Sequence, residues 1–302
     1  MFDSLAFNSE TLLYNNLYEL YYIDYNPLNL PPNTVRVRTN DGNVPYKTSW
    51  GDTSYETATI VPGTSDVYDV YKSGTSFKQM LYWSTNVIEV LGANTTGITD
   101  MSYMFYNCNA LTSVPLFDTS KVTDMKNMFD TCMSLTSVPL FDTSSVTDMS
   151  LMFWHCKSLT TVPLFDTSNV TSMYGMFEED KSLTSVPLLD TSNVTDMHAM
   201  FWGCTKLTSV PLFDTSNATN MGGMFEECTK LTSVPLFNTS KVTNMNDMFY
   251  NCYKVESGAL ALYRQASTQA NPPTNHENTF KDCGSNTTTG AAELAQISSD
   301  WK

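Results

Sequence analysis

Apolar and polar positions follow one pattern that is repeated down the middle of the chain. The first clear copy, LTSVPLFDTSKVTDMKNMF, runs from Leu111 to Phe129, and a degenerate copy precedes it near Val87. Further copies start every 24 residues, at Leu135, Leu159, Leu183, Leu207 and Leu231. A fixed period in the range of about 20–50 residues is typical of a solenoid, whose units bury their apolar faces only by stacking on each other. The pattern therefore predicts a repeat solenoid over residues 87–256.

Each copy is predicted to fold as a short strand followed by a helix, which gives an α/β solenoid. Leu111, Val114 and Leu116 have the spacing of a strand that faces the interior. Thr123 stands where a helix N-cap is expected. The helix after it would present one apolar stripe at positions i, i+3, i+4 and i+7, formed by Met125, Met128, Phe129 and Cys132. Because proline recurs inside each strand, we expect strands of about three residues.

The repeats resemble the leucine-rich repeats of the BspA-like surface-protein family. The shared residues are an M-F-x-x-C-x-x-L-x-x-V core followed by a D-T-S-x-V-T-x-M segment, and they recur in about seven repeats over residues 87–256. The resemblance implies a right-handed leucine-rich-repeat coil used for adhesion or protein binding. Members of that family are found on cell surfaces and also in phage-like genomes.

The segments that flank the repeats are predicted to attach and close the solenoid. Residues 1–32 are interpreted as an arm, with a helix over 8–25 and a Pro-rich linker, that packs on its own chain or on a partner. Residues 33–86 predict a small β module, which closes the first end of the solenoid. The module includes a hairpin at Asp41-Gly42, strands over 57–61 and 66–71, and a short helix from Ser76 to Trp83.

The C-terminal residues 257–302 predict a helical cap for the other end of the solenoid. Residues 258–266 and 291–297 have the composition of two helices, and the loop between them contains Pro272-Pro273. Trp301 is expected to pack down on this cap. A terminal unit that differs from the repeats is what a solenoid needs, because its last apolar face has no following repeat.

The charge of the chain bears on its partners and location. Its net charge is −15, from 16 Lys+Arg and 31 Asp+Glu, which argues against nucleic acid or an anionic membrane as partner. No apolar run reaches the roughly 18 residues of a membrane span, so membrane insertion is not expected. The N-terminus lacks the pattern of a secretory signal. We therefore expect a route to the outside by assembly into a phage particle, with a bacterial cell surface as the alternative location.

The cysteines and aspartates form two columns at the repeat spacing. Six of the seven cysteines fall in one column, in which Asp180 replaces the cysteine of its repeat, and Cys283 lies outside it. Buried thiols are favoured over disulfides or zinc, because the column lies on the predicted apolar face and free cysteine behaves as a small apolar residue. Zinc sites usually contain C-x-x-C pairs, and none is present. A second column, from Asp118 to Asp214, ends with Asn238, and neighbouring Thr-Ser hydroxyls are expected to satisfy it without calcium. No metal or cofactor is expected.

The positions that vary between copies predict the binding surface. No catalytic motif is recognised, and the three histidines are scattered, so the chain is not expected to be an enzyme. The residues predicted on the helix side vary from copy to copy and place large aromatic side chains among polar ones, which suits protein or glycan binding. The candidate ligand-binding residues are Tyr106, Trp154, His155, Tyr174, Trp202 and Tyr250. The uniform Thr-Ser strand face is the alternative surface.

These observations predict a non-enzymatic binding or adhesion protein. The expected role is a phage virion or tail-associated protein that attaches through its N-terminal arm and β module and displays the solenoid to a protein or glycan receptor on a cell surface. Many weak contacts in several copies would supply the adhesion. The alternative is a bacterial cell-surface adhesin of the BspA-like kind.

Overall fold

A computed structural model describes residues 25–45 and 56–302 of the chain. Within these residues the regular elements are four strands, two helices and one 3₁₀ turn. They are β1 (Thr34–Thr39), β2 (Thr57–Ile60), β3 (Val67–Tyr71), β4 (Val87–Asn94), α1 (Ala259–Thr268), α2 (Thr288–Leu294) and the turn Ser299–Trp301. The predicted N-terminal helix over residues 8–25 lies outside the described residues, apart from its last position.

The four strands form one antiparallel sheet in the order β2-β3-β1-β4. Alternating apolar residues bury one face of β1, where Val35 and Val37 are fully buried and pair with Val70 and Tyr68 of β3. The predicted hairpin at Asp41-Gly42 is wrong, because β3 and β4 occupy the two edges of β1. The hairpin of this sheet instead joins β2 to β3.

The repeats stack as coils that are joined by a column of parallel bridges. One residue of each coil, such as Asp124, bridges the residues 24 positions before and after it. The column runs through Ser76, Asp100, Asp124, Asp148, Ser172, Asp196, Asn220, Asn244 and Asn275. Alternate amides of the following segment donate to the next coil, as Phe129 N does to Met152 O at 2.9 Å. The repeats therefore form a solenoid that is held together by hydrogen bonds between coils.

The predicted helix in each repeat is wrong, because its amides form turns within the coil and bonds between coils. Met128 N donates to Met125 O and Cys132 N to Phe129 O, which are bonds three residues back rather than four. Asn127 and Thr131 adopt left-handed backbone conformations, with φ of 53° and 59°, so the segment consists of two successive turns. The predicted N-cap, Thr123, donates its amide to Thr99 O of the preceding coil.

The column extends beyond the obvious repeats at both ends. The predicted helix from Ser76 to Trp83 is wrong, because this segment forms a first coil whose Phe77 N donates to Asp100 O. At the other end, Phe249 N donates to Thr279 O, so the loop that was expected between two helices contains a last coil. Cys283 belongs to that coil and is 1% exposed, so its placement outside the cysteine column is also wrong.

The interior of the solenoid contains a stack of phenylalanine rings. The phenylalanine of each Met-Phe pair and Phe280 of the last coil are fully buried, and neighbouring rings have centroids 5.3 to 5.9 Å apart with planes within 12° of parallel. Aromatic contacts of this kind add about 0.5–1.5 kcal/mol each beyond the area they bury. The stack contains Phe105, Phe129, Phe153, Phe177, Phe201, Phe225, Phe249 and Phe280.

The proline segments do not form regular strands. Within them the described chain contains only isolated bridges, such as that between Ser233 and Ser257. The leucine after each proline was expected to face the interior with Leu116, and this is wrong for most copies. Leu116 is half-buried, whereas its equivalents are exposed by 39 to 62% and form a row that we call the leucine ridge: Leu140, Leu164, Leu188, Leu212 and Leu236.

Helices α1 and α2 cover the last coil. Gly258 precedes α1 with a φ of 97°, and a Cβ there would lie 2.1 Å from Val234 O, so only glycine fits this close approach. Trp301 is buried, stacks on His276 with ring centroids 4.3 Å apart, and lies edge-on to Tyr263, as expected for a residue that packs on the cap. No helix in the described ranges is both long enough and apolar enough to cross a bilayer.

Candidate functional site

Three of the six predicted site residues line one cavity on the turn side of the solenoid. Tyr106, Trp154 and Tyr174 come from three different coils and surround a volume of about 430 Å³. We call this the aromatic cavity. Its lining spans four successive coils and consists of Tyr103, Tyr106, Lys126, Asn127, Asp130, Leu151, Trp154, Tyr174 and Glu178.

The repeat itself positions this lining. Tyr106, Asp130, Trp154 and Glu178 occupy the same position in consecutive coils, so they form one row across the turn side. The backbone at this row is fixed, since Asn107 N donates to Asp130 O at 2.7 Å. Aspartate is shorter than the tyrosine and tryptophan on either side of it. The aromatic side chains therefore form walls, and Asp130 lies in the recess between them.

Asp130 is a buried carboxyl group with two side-chain partners. It is 2% exposed, and it accepts hydrogen bonds from Asn127 Nδ2 at 2.5 Å and from Thr131 Oγ1 at 2.8 Å. Loss of solvation raises the pKa of Asp130 to about 7 against the lowering effect of both bonds. Burial also raises the pKa of Glu178, which is 8% exposed. The cavity therefore contains two carboxyl groups that are poorly solvated in the free protein.

Asn127 leaves one polar atom of the cavity unsatisfied. The residue is 3% exposed, and while its Nδ2 donates to Asp130, its Oδ1 has no hydrogen-bond partner within the described part of the chain. An unpaired buried acceptor costs about 1–3 kcal/mol. A ligand that donates to this oxygen would recover that free energy.

The other three predicted site residues lie outside the cavity. His155 packs edge-on against Trp154 with ring centroids 4.5 Å apart, and burial lowers the pKa of its imidazole. Trp202 belongs to a later coil. Tyr250 lies near the C-terminal cap, where Lys281 Nζ is 5.3 Å from its ring centroid. The six residues are therefore spread over the turn side rather than collected in one site.

Sequence reasoning missed the acidic half of the cavity. Asp130 and Glu178 were not among the predicted site residues, although aromatic and acidic residues alternate in their row. Along the chain the row reads Tyr106, Asp130, Trp154, Glu178, Trp202, Glu226 and Tyr250. Burial raises the pKa of Glu226 to about 7, as it does that of Asp130. This alternation was the signal that could have found the carboxyl groups.

The leucine ridge is the second exposed feature of the solenoid. A shallow cavity of about 320 Å³ lies along it between Leu188 and Leu212 and is bordered by Asp190 and Asp214. Rows of exposed large apolar side chains mark interaction surfaces in soluble proteins. The ridge lies next to the Thr-Ser positions that sequence analysis gave as the alternative surface.

The aspartate and cysteine columns have structural roles. Asp142 Oδ1 accepts bonds from Ser144 N at 3.1 Å and Ser144 Oγ at 2.6 Å, and most other copies repeat this turn. Six cysteine thiols are buried and donate to backbone carbonyls, as Cys132 Sγ does to Phe105 O at 3.2 Å. Among the described residues, no group of three or more His, Cys, Asp or Glu side chains is arranged to hold a metal ion.

The architecture and its cavity define a repeat solenoid with a recessed, acidic and aromatic surface. The chain matches the profile of one protein family twice, over residues 74–187 and 181–289, which together cover more than half of its length. It belongs to this family, which is described as "Mycoplasma protein of unknown function, DUF285". A search of curated proteins found no match.

Several solved bacterial leucine-rich-repeat proteins are similar to the chain at low identity. The Treponema protein TpLRR of T. pallidum is 21% identical, with 63% of this chain and 80% of that one covered and a TM-score of 0.41. A protein from Eubacterium ventriosum is 18% identical, with 70% of this chain and 44% of that one covered and a TM-score of 0.36. A protein from Bacteroides ovatus is 14% identical, with 76% of this chain and 83% of that one covered and a TM-score of 0.27. Because these scores lie below 0.5, none of the three establishes the function of this chain.

Proposed function

We propose that the protein is a non-enzymatic binding protein of the leucine-rich-repeat type, whose solenoid holds a partner at the aromatic cavity. The observation that carries this proposal is the unsatisfied Asn127 Oδ1 beside two poorly solvated carboxyl groups in a recess with aromatic walls. Such a recess leaves favourable interactions unmade until a ligand fills it. Large aromatic side chains with polar neighbours are the usual anchors of protein interfaces.

The repeated architecture supports the choice of a binding role. Each coil fixes its backbone by bonds to its neighbours, so the cavity walls are held in place before a partner arrives. Preorganised surfaces lose less conformational entropy on binding. The leucine-rich coil and the resemblance of its residues to BspA-like repeats agree with a role in protein binding.

The binding role can be tested with labelled protein on cells. Binding of the fluorescent wild type to bacterial and mammalian cells would be compared with that of W154A by flow cytometry. We expect W154A to lose most of the binding, and W83A, which removes a 42% exposed tryptophan outside the cavity lining, to keep it. Protease treatment of the cells separates a protein receptor from a glycan one. Equal binding by W154A and wild type, with both folded by circular dichroism, would refute the use of the cavity.

The location of the protein is part of the proposal. We place it on a phage particle, attached through the arm of residues 1–32, with the bacterial cell surface as the alternative. Mass spectrometry of purified particles and of the outer-surface fraction of the producing cells tests this directly. Enrichment in particles supports the virion role, whereas enrichment on uninfected cells contradicts it and favours an adhesin.

Attachment through the N-terminal arm has its own test. If residues 8–25 hold sister subunits or a virion partner, their deletion converts an oligomer into a monomer. Light scattering of the full-length and truncated proteins measures this, and an unchanged mass for an oligomer would contradict the assignment.

A further inference from the structure

We propose that the aromatic cavity receives cationic side chains of a partner protein, lysine ammonium or arginine guanidinium groups, with Asp130 and Glu178 as their counter-charges. This inference rests on the proposed binding function and specifies its ligand. The cavity offers three kinds of group that together select a cation: carboxyl groups, an unsatisfied acceptor and aromatic rings.

The cavity contains both acceptors and donors: its acceptors are carboxyl and amide oxygens, and its donors include Lys126 and the buried Trp154 Nε1, which has no hydrogen-bond partner in the described structure. Asn127 Oδ1 is buried without a donor in the described structure, and Asp130 and Glu178 add carboxyl oxygens. A ligand with several N–H donors and a positive charge matches the acceptors, because two of them are carboxyl groups. Lys126 does not fill this role, since within residues 25–45 and 56–302 it forms no ion pair with either carboxylate.

The aromatic walls favour the same ligand. Tyr106, Trp154 and Tyr174 surround the recess, and the faces of such rings attract a cation within about 6 Å. The protein already contains one such contact in the same row. Tyr250 occupies the coil position of Trp154, and Lys281 Nζ lies 5.3 Å from its ring centroid. The last coil thus supplies an internal lysine to one aromatic of the row.

The spacing of the carboxyl groups describes the partner further. Asp130, Glu178 and Glu226 recur in every second coil. Backbones that pair at ~4.8 Å place carboxyl groups two coils apart roughly 10 Å from each other. A partner that carries basic side chains at about this separation meets more than one of them. The net charge of −15 also attracts a basic partner over a longer range.

A short basic peptide tests the proposal on the full-length protein. In the acetylated and amidated heptapeptide Lys-Gly-Gly-Lys-Gly-Gly-Lys, a polyproline II backbone, with three residues per turn, places successive lysines on one side about 9 Å apart. Titration followed by calorimetry and tryptophan fluorescence is expected to show saturable binding. The same peptide with Nε-acetylated lysines, which lack the charge, is expected to bind about tenfold more weakly or not at all. Equal binding of the two peptides to the wild type would overturn the proposal without any variant.

Two matched variants separate the cavity from net charge. E178Q removes one negative charge inside the cavity, and D214N removes one from an exposed position of the aspartate column. We expect E178Q to weaken binding of the lysine peptide by about five- to tenfold and D214N by less than about twofold. Equal weakening by both variants would show that the affinity of the peptide depends only on the net charge of the protein, and would contradict binding at the cavity.

Two further measurements are needed. One distinguishes a protein side chain from a free amine as the cation, and the other distinguishes this inference from the proposed function. The free diamine 1,4-diaminobutane carries the same ammonium groups without a peptide, and binding as tight as that of the peptide would overturn the assignment to a protein side chain. Cell binding that is retained by E178Q and lost in W154A would also overturn the cationic ligand, while it would leave the proposed function intact.

Discussion

Cys156 and Asp180 occupy the same position in successive coils, but only the cysteine has a hydrogen-bond partner. Cys156 Sγ donates to Phe129 O at 3.1 Å, whereas neither carboxyl oxygen of Asp180 has a partner in the described structure. Asp180 is fully buried, and loss of solvation raises its pKa well above the usual value. The solenoid therefore tolerates one poorly satisfied acid inside a column of thiols.

Replacing this acid by the residue of the other coils should stabilise the protein. D180C restores a thiol that can donate to the preceding coil, and we expect about 1–3 kcal/mol more stability near pH 7. Chemical denaturation of the variant and the wild type measures the difference. A lower denaturation midpoint for D180C would show that the carboxyl group has a stabilising partner.

The same residue makes a prediction about pH. The folded pKa of Asp180 is raised, so above about pH 4 the unfolded chain releases this proton before the folded one does. The stability contribution of Asp180 is therefore full below that pH and is lost as pH rises, by at most about 1.4 kcal/mol per unit. Unfolding between pH 5 and 8 should show this slope reduced in D180C, and parallel slopes would contradict it.

The phenylalanine stack should carry much of the stability of the solenoid. Phe153 is fully buried, and its ring centroid lies 5.7 Å from those of Phe129 and Phe177. F153A should therefore lower the free energy of unfolding by about 3–5 kcal/mol. L164A, which shortens a 59% exposed residue of the leucine ridge, should change stability by less than about 0.5 kcal/mol. Thermal unfolding compares the two, and similar losses would mean that the ridge is buried in solution.

The left-handed positions of the turns should discriminate between small and branched side chains. Gly223 has a φ of 60°, and a Cβ there would meet Glu226 Oε2 at 3.3 Å, so backbone strain dominates the cost of adding a side chain. G223V should lose roughly 1–2 kcal/mol or more. G223A should lose less, since Ala199 adopts the same conformation in the preceding coil. A stable G223V would show that the turn can change its conformation.

The leucine ridge should matter for association and not for folding. Leu188 and Leu212 are each about 60% exposed, so the double change to serine should leave the melting temperature nearly unchanged. It should lower self-association at high concentration, because the exposed apolar row is interrupted. Light scattering measures the association, and a large drop in melting temperature would contradict the surface position.

The repeat and the residues of its core were predictable from the sequence, while the local conformation of the repeat was not. Met125, Met128, Phe129 and Cys132 are all buried, as the pattern required. Their spacing also fits two successive turns, because both conformations return an apolar residue to the core every three or four positions. The amides bond to the next coil, so the preference for a helix is overridden by contacts that one repeat cannot show.

Glycine was the neglected signal for the turns. Gly175, Gly203 and Gly223 lie inside the predicted helices and have positive φ. Glycine is unfavourable within a helix and is favoured where the backbone is left-handed. The cavity could not be predicted from the sequence for another reason. Tyr106, Trp154 and Tyr174 become neighbours only when the coils stack. Their acidic neighbours vary between copies and were not recognised as partners.

The alternation along the cavity row bears on how this solenoid can change in length. Tryptophan and glutamate alternate from coil to coil between Trp154 and Glu226. The surface pattern therefore repeats every two coils, whereas the core pattern repeats every coil. Gain or loss of one coil within this row would preserve the phenylalanine stack and bring two like side chains together. Gain or loss of two coils would preserve both. Lengthening by two coils at a time therefore keeps the surface pattern. The smallest segment whose duplication preserves the binding surface is two coils, whereas one coil is enough to preserve the core.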